Sequence, residues 1–226
     1  MASFFNLELD TTAPGSPTIS IEGGATYAST QLVTCTIGTG DGDTTGYQML
    51  IWGNVDLAEN ASIQDTEGNS SWITYNTSQQ VKLLTGDGVK TIYLKIRDDV
   101  YNESAQVDDS ITLDESVPVV TISGPDLSKI SKVTGKDVSE FSFTCDTNYE
   151  EYKVKVVPAS GSSQDAGTLI LTANGSSNMS GSAGGYNGAT PITCQIDGAD
   201  LEIASAGDGT KIIKVFVKDA ANNWSV

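Results

Sequence analysis

Leu9-Asp10-Thr11-Thr12-Ala13-Pro14 returns as Leu113-Asp114-Glu115-Ser116-Val117-Pro118, and a Thr-Ile-Ser follows each copy, at Thr18–Ser20 and Thr121–Ser123. Outward from this repeat the correspondence continues. Leu32-Val33-Thr34-Cys35 answers to Phe141-Ser142-Phe143-Thr144-Cys145, and apolar stretches follow at Tyr47–Trp52 and Tyr152–Val157. Gly86-Asp87-Gly88-Val89-Lys90 matches Gly207-Asp208-Gly209-Thr210-Lys211, and Asp98, Asn102 and Ser104 match Asp219, Asn223 and Ser225. Pro14 recurs 104 residues on, at Pro118, and Gly86 recurs 121 residues on, at Gly207. The drift places the insertions in the second copy, chiefly in the Gly/Ser/Asn-rich stretch 159–189. Self-similarity at a fixed spacing marks one structural unit used twice.

The period within each copy is that of a strand. Ile92, Leu94 and Ile96 alternate with Thr91, Tyr93, Lys95 and Arg97, while Ile213, Val215 and Val217 alternate with Ile212, Lys214, Phe216 and Lys218. Such alternation gives each strand one apolar face. Short strands punctuated by Gly, Asn, Asp and Ser, with one short helical candidate at 198–206, predict an all-β chain of two tandem β-sandwiches. The expected division is an N-terminal strand at 1–10, a first domain at 11–115 and a second at 116–226. With 226 residues and 38% hydrophobic composition, each half is long enough to bury a core.

Charge and composition exclude several functions. Twelve basic residues against 29 acidic ones give a net charge of −17, and Arg97 is the sole arginine. Nucleic acid and anionic membrane surfaces would be repelled, so neither is an expected partner. There is no histidine, which removes the usual general base, the commonest metal ligand and every Ser-His or Cys-His dyad. No carboxylate pair sits in a recognisable catalytic frame, and Gly86-Asp87-Gly88 is a turn with no Gly-Lys-Ser/Thr after it. An enzyme is not expected. No apolar run approaches the roughly 18 residues of a spanning helix, and Met1–Asp10 lacks the basic and long apolar regions of an export signal.

Asp10-Thr11-Thr12-Ala13-Pro14, Ile21-Glu22-Gly23-Gly24-Ala25-Thr26-Tyr27, Trp72-Ile73-Thr74-Tyr75, Gly86-Asp87-Gly88 with Lys90 and Tyr93, Arg97-Asp98, and Lys218-Asp219-Ala220-Ala221-Asn222-Asn223-Trp224-Ser225 resemble the bacterial and phage immunoglobulin-like (fibronectin type III-like) repeats. The resemblance covers nearly the whole chain. The second copy departs from it in lacking the Trp-x-x-Tyr pair and in carrying Asn222 where the family more often has Gly. The resemblance implies immunoglobulin-like sandwiches on a cell surface or virion, and it specifies no single purpose.

Three cysteines cannot all pair, so at least one is a free thiol, as suits a reducing compartment. Cys35 and Cys145 occupy equivalent strand positions and are expected as buried thiols, with Cys194 on an apolar face near Cys145 and a disulfide there as the lesser alternative. No cofactor is expected. Calcium is the weak candidate, through Asp41, Asp43, Asp98 and Asp99, although aspartates in turns more often bind their own backbone. Asp98 and Asp219 read as turn-formers, with Asn102 and Asn223 taking left-handed geometry. Trp52 and Trp224 are candidate glycan-facing aromatics, whereas Trp72 and Tyr75 read as core. Sequons at Asn60, Asn69, Asn76, Asn174, Asn178 and Asn223 read as polar loops in the absence of an export signal.

The first copy continues past Ser104 to a strand containing Ile111 and Leu113, and the second reaches Val226 one residue after Ser225. By this alignment the second unit lacks its final strand, while Leu7-Glu8-Leu9-Asp10 aligns with Ile111-Thr112-Leu113-Asp114 as a spare one. Phe4–Leu9, with Phe5, Leu7 and Leu9 apolar, is therefore the candidate assembly strand. The edge carrying Ile213, Val215 and Val217 is its candidate acceptor, in another subunit or as the dock for a strand of another virion protein. A second sandwich with fewer strands, or an N-terminus folded back on its own chain, are the alternatives. Taken together these expectations describe a non-enzymatic bacteriophage virion component of capsid, neck or tail, partnered by other virion proteins and by itself. A bacterial surface adhesin or filament subunit and a carbohydrate-binding module for host-surface glycans are the alternatives.

Overall fold

In the computed structural model, which describes residues 5–59 and 61–226, the chain divides into two compact units, Met1–Glu115 and Ser116–Val226. In the first unit β1 (Thr18–Ile21), β2 (Tyr27–Ala28), β3 (Leu32–Gly38), β4 (Gln48–Gly53), β5 (Ile73–Thr74), β6 (Ser78–Lys82), β7 (Gly88–Arg97) and β8 (Val107–Leu113) form two sheets. One has the order β1-β3-β6 and the other β2-β8-β7-β4-β5. All pairings are antiparallel except the short β2·β8 contact, where Tyr27 lies opposite Thr112. The sheets bury alternate residues between them, as a pleated strand requires. Val33, Cys35 and Ile37 of β3 meet Met49 and Ile51 of β4, Ile92, Leu94 and Ile96 of β7, and Ile111 and Leu113 of β8 in one core.

The second unit contains β9 (Val120–Ser123), β10 (Val138–Cys145), β11 (Glu151–Val157), β12 (Thr168–Leu169), β13 (Ser180–Gly181), β14 (Ile192–Asp197), α1 (Gly198–Ala204) and β15 (Ile212–Lys218). Its sheets are β14-β10-β9 and a second in which β11 pairs with β12 and β13 along one edge and with β15 along the other. By sequence position β9, β10, β11 and β15 answer to β1, β3, β4 and β7. The chain is thus an all-β protein of two immunoglobulin-like sandwiches. Where the first core is aliphatic, the second holds an aromatic group. Phe143, Tyr149 and Tyr152 pack with Tyr186, and Tyr149 stacks on Tyr186 at 5.1 Å between ring centroids. Helix α1 is capped by Asp197, whose side chain accepts from the backbone of Ala199 and Asp200, an ordinary N-cap.

The two units end their long strands with the same device. Asp98 Oδ1 accepts from the backbone of Val100 at 2.9 Å and of Asn102 at 2.8 Å, and Asp98 Oδ2 accepts from Asn102 Nδ2 at 2.7 Å. Asp219 accepts in the same way from the backbone and side chain of Asn223, at 2.8 and 3.1 Å. Left-handed backbone falls one residue before each asparagine, at Tyr101 and Asn222, both with φ of 70°. That corrects the expectation for Asn102 and Asn223, whose side chains instead close the loop onto the aspartate. The Gly-Asp-Gly turns repeat equally closely, with φ of 90° and 122° at Gly86 and Gly88 and 84° and 127° at Gly207 and Gly209.

Candidate assembly edge

Strand β7 is bonded on both sides, to β4 through Ile92–Arg97 and to β8 through Gly88–Leu94. Among the described residues the only strand paired with its counterpart β15 is β11. The direction of the free groups follows from the ladder. Val154 of β11, opposite Val215, donates its N–H to Met179 and accepts from Ile170 on the side away from β15. Val215 therefore does not bond its cross-strand neighbour, and its own N–H and C=O face outward. Val217 faces the same way, donating to Ser225 Oγ at 3.0 Å and accepting from the Ser225 N–H at 2.9 Å. Ile96 and Ser104 make the same pair of bonds in the first unit. Below that common clasp β8 covers Leu94, Ile92, Lys90 and Gly88, whereas among the described residues no strand covers Val215, Ile213, Lys211 and Gly209. Val215 and Val217 are buried as whole residues, at 6% and 0% exposure, whereas Gly209, Thr210 and Ile212 are exposed and Lys211 and Ile213 half-buried, so the accessible part of this edge is its first half.

Beneath the open part of the edge lies a groove of about 490 Å³ lined by Leu127, Ile130, Ile196, Leu201 and Ile213, with Gly209, Thr210 and Lys211 along its mouth. Apolar side chains from three separate segments thus converge beside Gly209–Lys211, whose counterparts Gly88–Lys90 pair in the first unit with Leu113–Ile111, at 0% and 1% exposure for Leu113 and Ile111. Lys129 and Lys211 stand on the rim, and Lys132 lies in the adjoining hollow with Glu202 and Asp208.

Phe5, Leu7 and Leu9 carry no strand pairing and are 85%, 86% and 86% exposed, a rare condition for three alternating large apolar residues. The segment is pinned at Asp10, whose carbonyl accepts from Asn102 Nδ2 at 3.4 Å. Phe4 of the expected strand, like Asn60 of the expected sequons, lies outside the described residues.

The expected glycan-facing aromatics are placed differently from the sequence reading. Trp52 is 7% exposed and stacks on Tyr93 at 5.6 Å, with Gln64 of the covering segment bridged beside it, so it offers no platform to a sugar. Trp224 is half-buried under two cations, with Lys153 Nζ 4.4 Å and Lys218 Nζ 5.6 Å from the ring. Glu151 ties both lysines together at 3.1 and 2.8 Å and is held below the usual carboxylate range, first by the hydrogen bond from Lys218. Trp72 is not core. It is half-buried, and Arg97 lies 4.3 Å over its ring and 4.4 Å over that of Tyr101, with two nitrogens donating to Gln48 Oε1. Tyr75 does pack against the core margin.

Of the weak calcium candidates, Asp41, Asp43 and Asp98 accept hydrogen bonds from the protein. Asp41 accepts from Gly15 N–H at 3.1 Å, Thr39 Oγ1 at 3.0 Å and Tyr47 Oη at 3.3 Å. Asp43 accepts from Thr45 N–H at 3.0 Å, which lowers its pKa, and Asp99 packs against Gly46. No group of three or more acidic or cysteine side chains among the described residues is arranged to hold a metal ion. All three cysteines are buried free thiols. Cys194 lies opposite Phe141 and Cys145 opposite Val120, so the two are not strand partners. Burial pushes the thiols of Cys35 and Cys194 up to about 12, and also raises that of Cys145, which makes them poor nucleophiles. No helix among the described residues is long and apolar enough to cross a membrane.

No protein-family model and no curated protein matches the chain. Among solved structures it is similar to the fibronectin(III)-like modules of Clostridium thermocellum CbhA, at 10% identity over 92% of this chain and 90% of that one, with a TM-score of 0.45. It is also similar to the D00-D0 domain of intimin, at 12% identity over 88% of this chain and 91% of that one, with a TM-score of 0.30. A third likeness is to chitinase ChiA74 from Bacillus thuringiensis, at 13% identity over 92% of this chain and 30% of that one, with a TM-score of 0.30.

Proposed function

We propose that this chain is a non-enzymatic structural protein of a bacteriophage virion, an immunoglobulin-like accessory of capsid, neck or tail that docks through its sheet edges and loops. The observation that supports it best is the contrast of surfaces. Asp98 and Asp219 are engaged in turns and Glu59 in a surface ion pair, while one side of β15 has no strand partner among the described residues. Such an edge suits docking by strand pairing. The four basic and 17 acidic residues of the first unit, net −13, keep copies apart and soluble, and the second unit, net −4, is the better suited to docking. The burial of Trp52 and the cation cover on Trp224 weigh against a carbohydrate-binding module.

Immunogold labelling with antibody against the purified chain tests the virion assignment. Gold on intact phage particles, at capsid, neck or tail, is the expected result. Gold confined to the envelope of uninfected cells would overturn it in favour of a surface adhesin or filament subunit.

A further inference from the structure

We infer that the segment Phe5–Leu9 of one copy adds to the open edge of β15 in another and places Leu7 and Leu9 in the groove beside it. The inference rests on the proposal above only in taking sheet edges as the docking surfaces, and it assigns the partner, which is a second copy of this chain.

The internal repeat supplies the register. In the first unit Gly88, Val89, Lys90, Thr91 and Ile92 of β7 lie opposite Leu113, Thr112, Ile111, Ser110 and Asp109 of β8. Carried through the Gly-Asp-Gly match on one strand and the Leu-Asp match on the other, the same pairing sets Gly209 opposite Leu9, Thr210 opposite Glu8, Lys211 opposite Leu7 and Ile213 opposite Phe5. Leu7 and Leu9 then take the places of Ile111 and Leu113, on the face that looks into the core. The groove lined by Leu127, Ile130, Leu201 and Ile213 lies beside Gly209, Thr210 and Lys211, where those two side chains would arrive. Phe5-Asn6-Leu7-Glu8-Leu9 has the apolar alternation of a strand with one buried face, yet all three apolar residues stand in solvent.

Charge agrees with shape. The donor carries Glu8 and Asp10, whereas the acceptor presents Lys129 and Lys211 on the rim and Lys214 on β15 itself. The joint made this way repeats the passage inside the chain, where β8 runs through Asp114–Val117 into the next sandwich. Copies would therefore add head to tail, giving filaments or rings according to whether the rotation closes.

Two measurements on the full chain decide the matter. The mass in solution, by light scattering over a concentration series, is expected to rise beyond one chain. It should return to a single chain in the double variant Leu7→Asp/Leu9→Asp, with association weakened more than about 100-fold by the lost burial. Both residues are exposed in the single copy, so unchanged thermal unfolding will show that the variant folds. The second is a double variant Glu8→Cys/Thr210→Cys, whose positions correspond to a close, non-hydrogen-bonded pair. Oxidation is expected to give a ladder of linked copies, the three native thiols being buried. A single-chain mass at every concentration, association unchanged in the leucine variant, or a linkage formed only within one chain would each overturn the inference. None of these results bears on the gold labelling, so the virion assignment stands or falls separately.

Discussion

Strands β7 and β15 have the same alternation, start from the same Gly-Asp-Gly turn and end in the same aspartate-asparagine loop, yet one is the middle of its sheet and the other an edge. The difference does not lie in the strands themselves. It lies in a neighbour supplied to β7 by Val107–Leu113, and in the loop 125–130 and helix α1, which leave a groove where that neighbour would sit. The same alternation and the same end devices are thus compatible with a strand paired on both sides and one paired on a single side. What distinguishes them is who supplies five apolar-polar alternating residues.

The largest break in that comparison comes from deleting the buried anchor of the neighbour. Ile111→Ala removes a side chain that is 1% exposed in the first core, and is expected to destabilise that unit by about 2–5 kcal/mol. Leu7→Ala, the same position of the repeat, should change the unfolding of dilute chain by less than about 0.5 kcal/mol because the side chain is already in water. Urea titration with a thiol reagent reads the units separately, Cys35 reporting the first and Cys145 with Cys194 the second. Equal losses would mean that the segment is already docked within its own chain.

A smaller effect is expected at the shared loop. Asp98→Ala and Asp219→Ala each remove the acceptor of part-buried N–H groups and should cost their own unit about 1 kcal/mol. Burial alone would raise the pKa of Asp98, but donors from Asn102, Val100 and Tyr101 outweigh it and hold it below its ordinary value of 3.8. Asp200 in the second unit is held low by Ser176 and Asn174 against the same opposing burial. A carboxylate with a lowered pKa contributes stability that is full above the ordinary value and is lost as pH falls through 3.8 toward the folded value. Both units should therefore weaken together on acidification, as read by tryptophan fluorescence from Trp52 and Trp72 in one and Trp224 in the other. Loss of one unit at much higher pH than the other would contradict this.

The smallest expected change is a gain. Tyr149 is fully buried, and its hydroxyl has no hydrogen-bond partner among the described residues. Burial pushes its pKa up to about 12. Tyr149→Phe keeps the stacking on Tyr186 and removes an unsatisfied group, so the second unit should gain about 1 kcal/mol in denaturant, with the first unchanged. A loss would show that the hydroxyl is bonded in solution.

Much of this was legible in the chain. The repeat fixed both sandwiches and both long strands, since Gly, Asp and Asn at set offsets admit few backbone paths. Trp52 was not legible, because strand alternation puts it on the outer face and only the segment around Gln64, folded over it, makes it buried. Trp72 was misread as core for the opposite reason, since what holds it is Arg97 from another strand. The groove is invisible in sequence because Leu127, Ile130 and Leu201 belong to no common period. They meet only once α1 and the preceding loop are in place.

On strand addition, the outer edge of β15 is open in a single copy and closed by Phe5–Leu9 of another. Amide hydrogen exchange across a concentration series tests it most directly, comparing fragments over 209–217 with the equivalent 88–96. In dilute, single-chain solution the β15 fragment is expected to exchange faster, through Val215, Ile213 and Lys211. As the mass grows, it and the 5–9 segment should gain protection together. A β15 edge as protected as β7 in dilute chain, or a 5–9 segment still exchanging freely in the associated state, would contradict it.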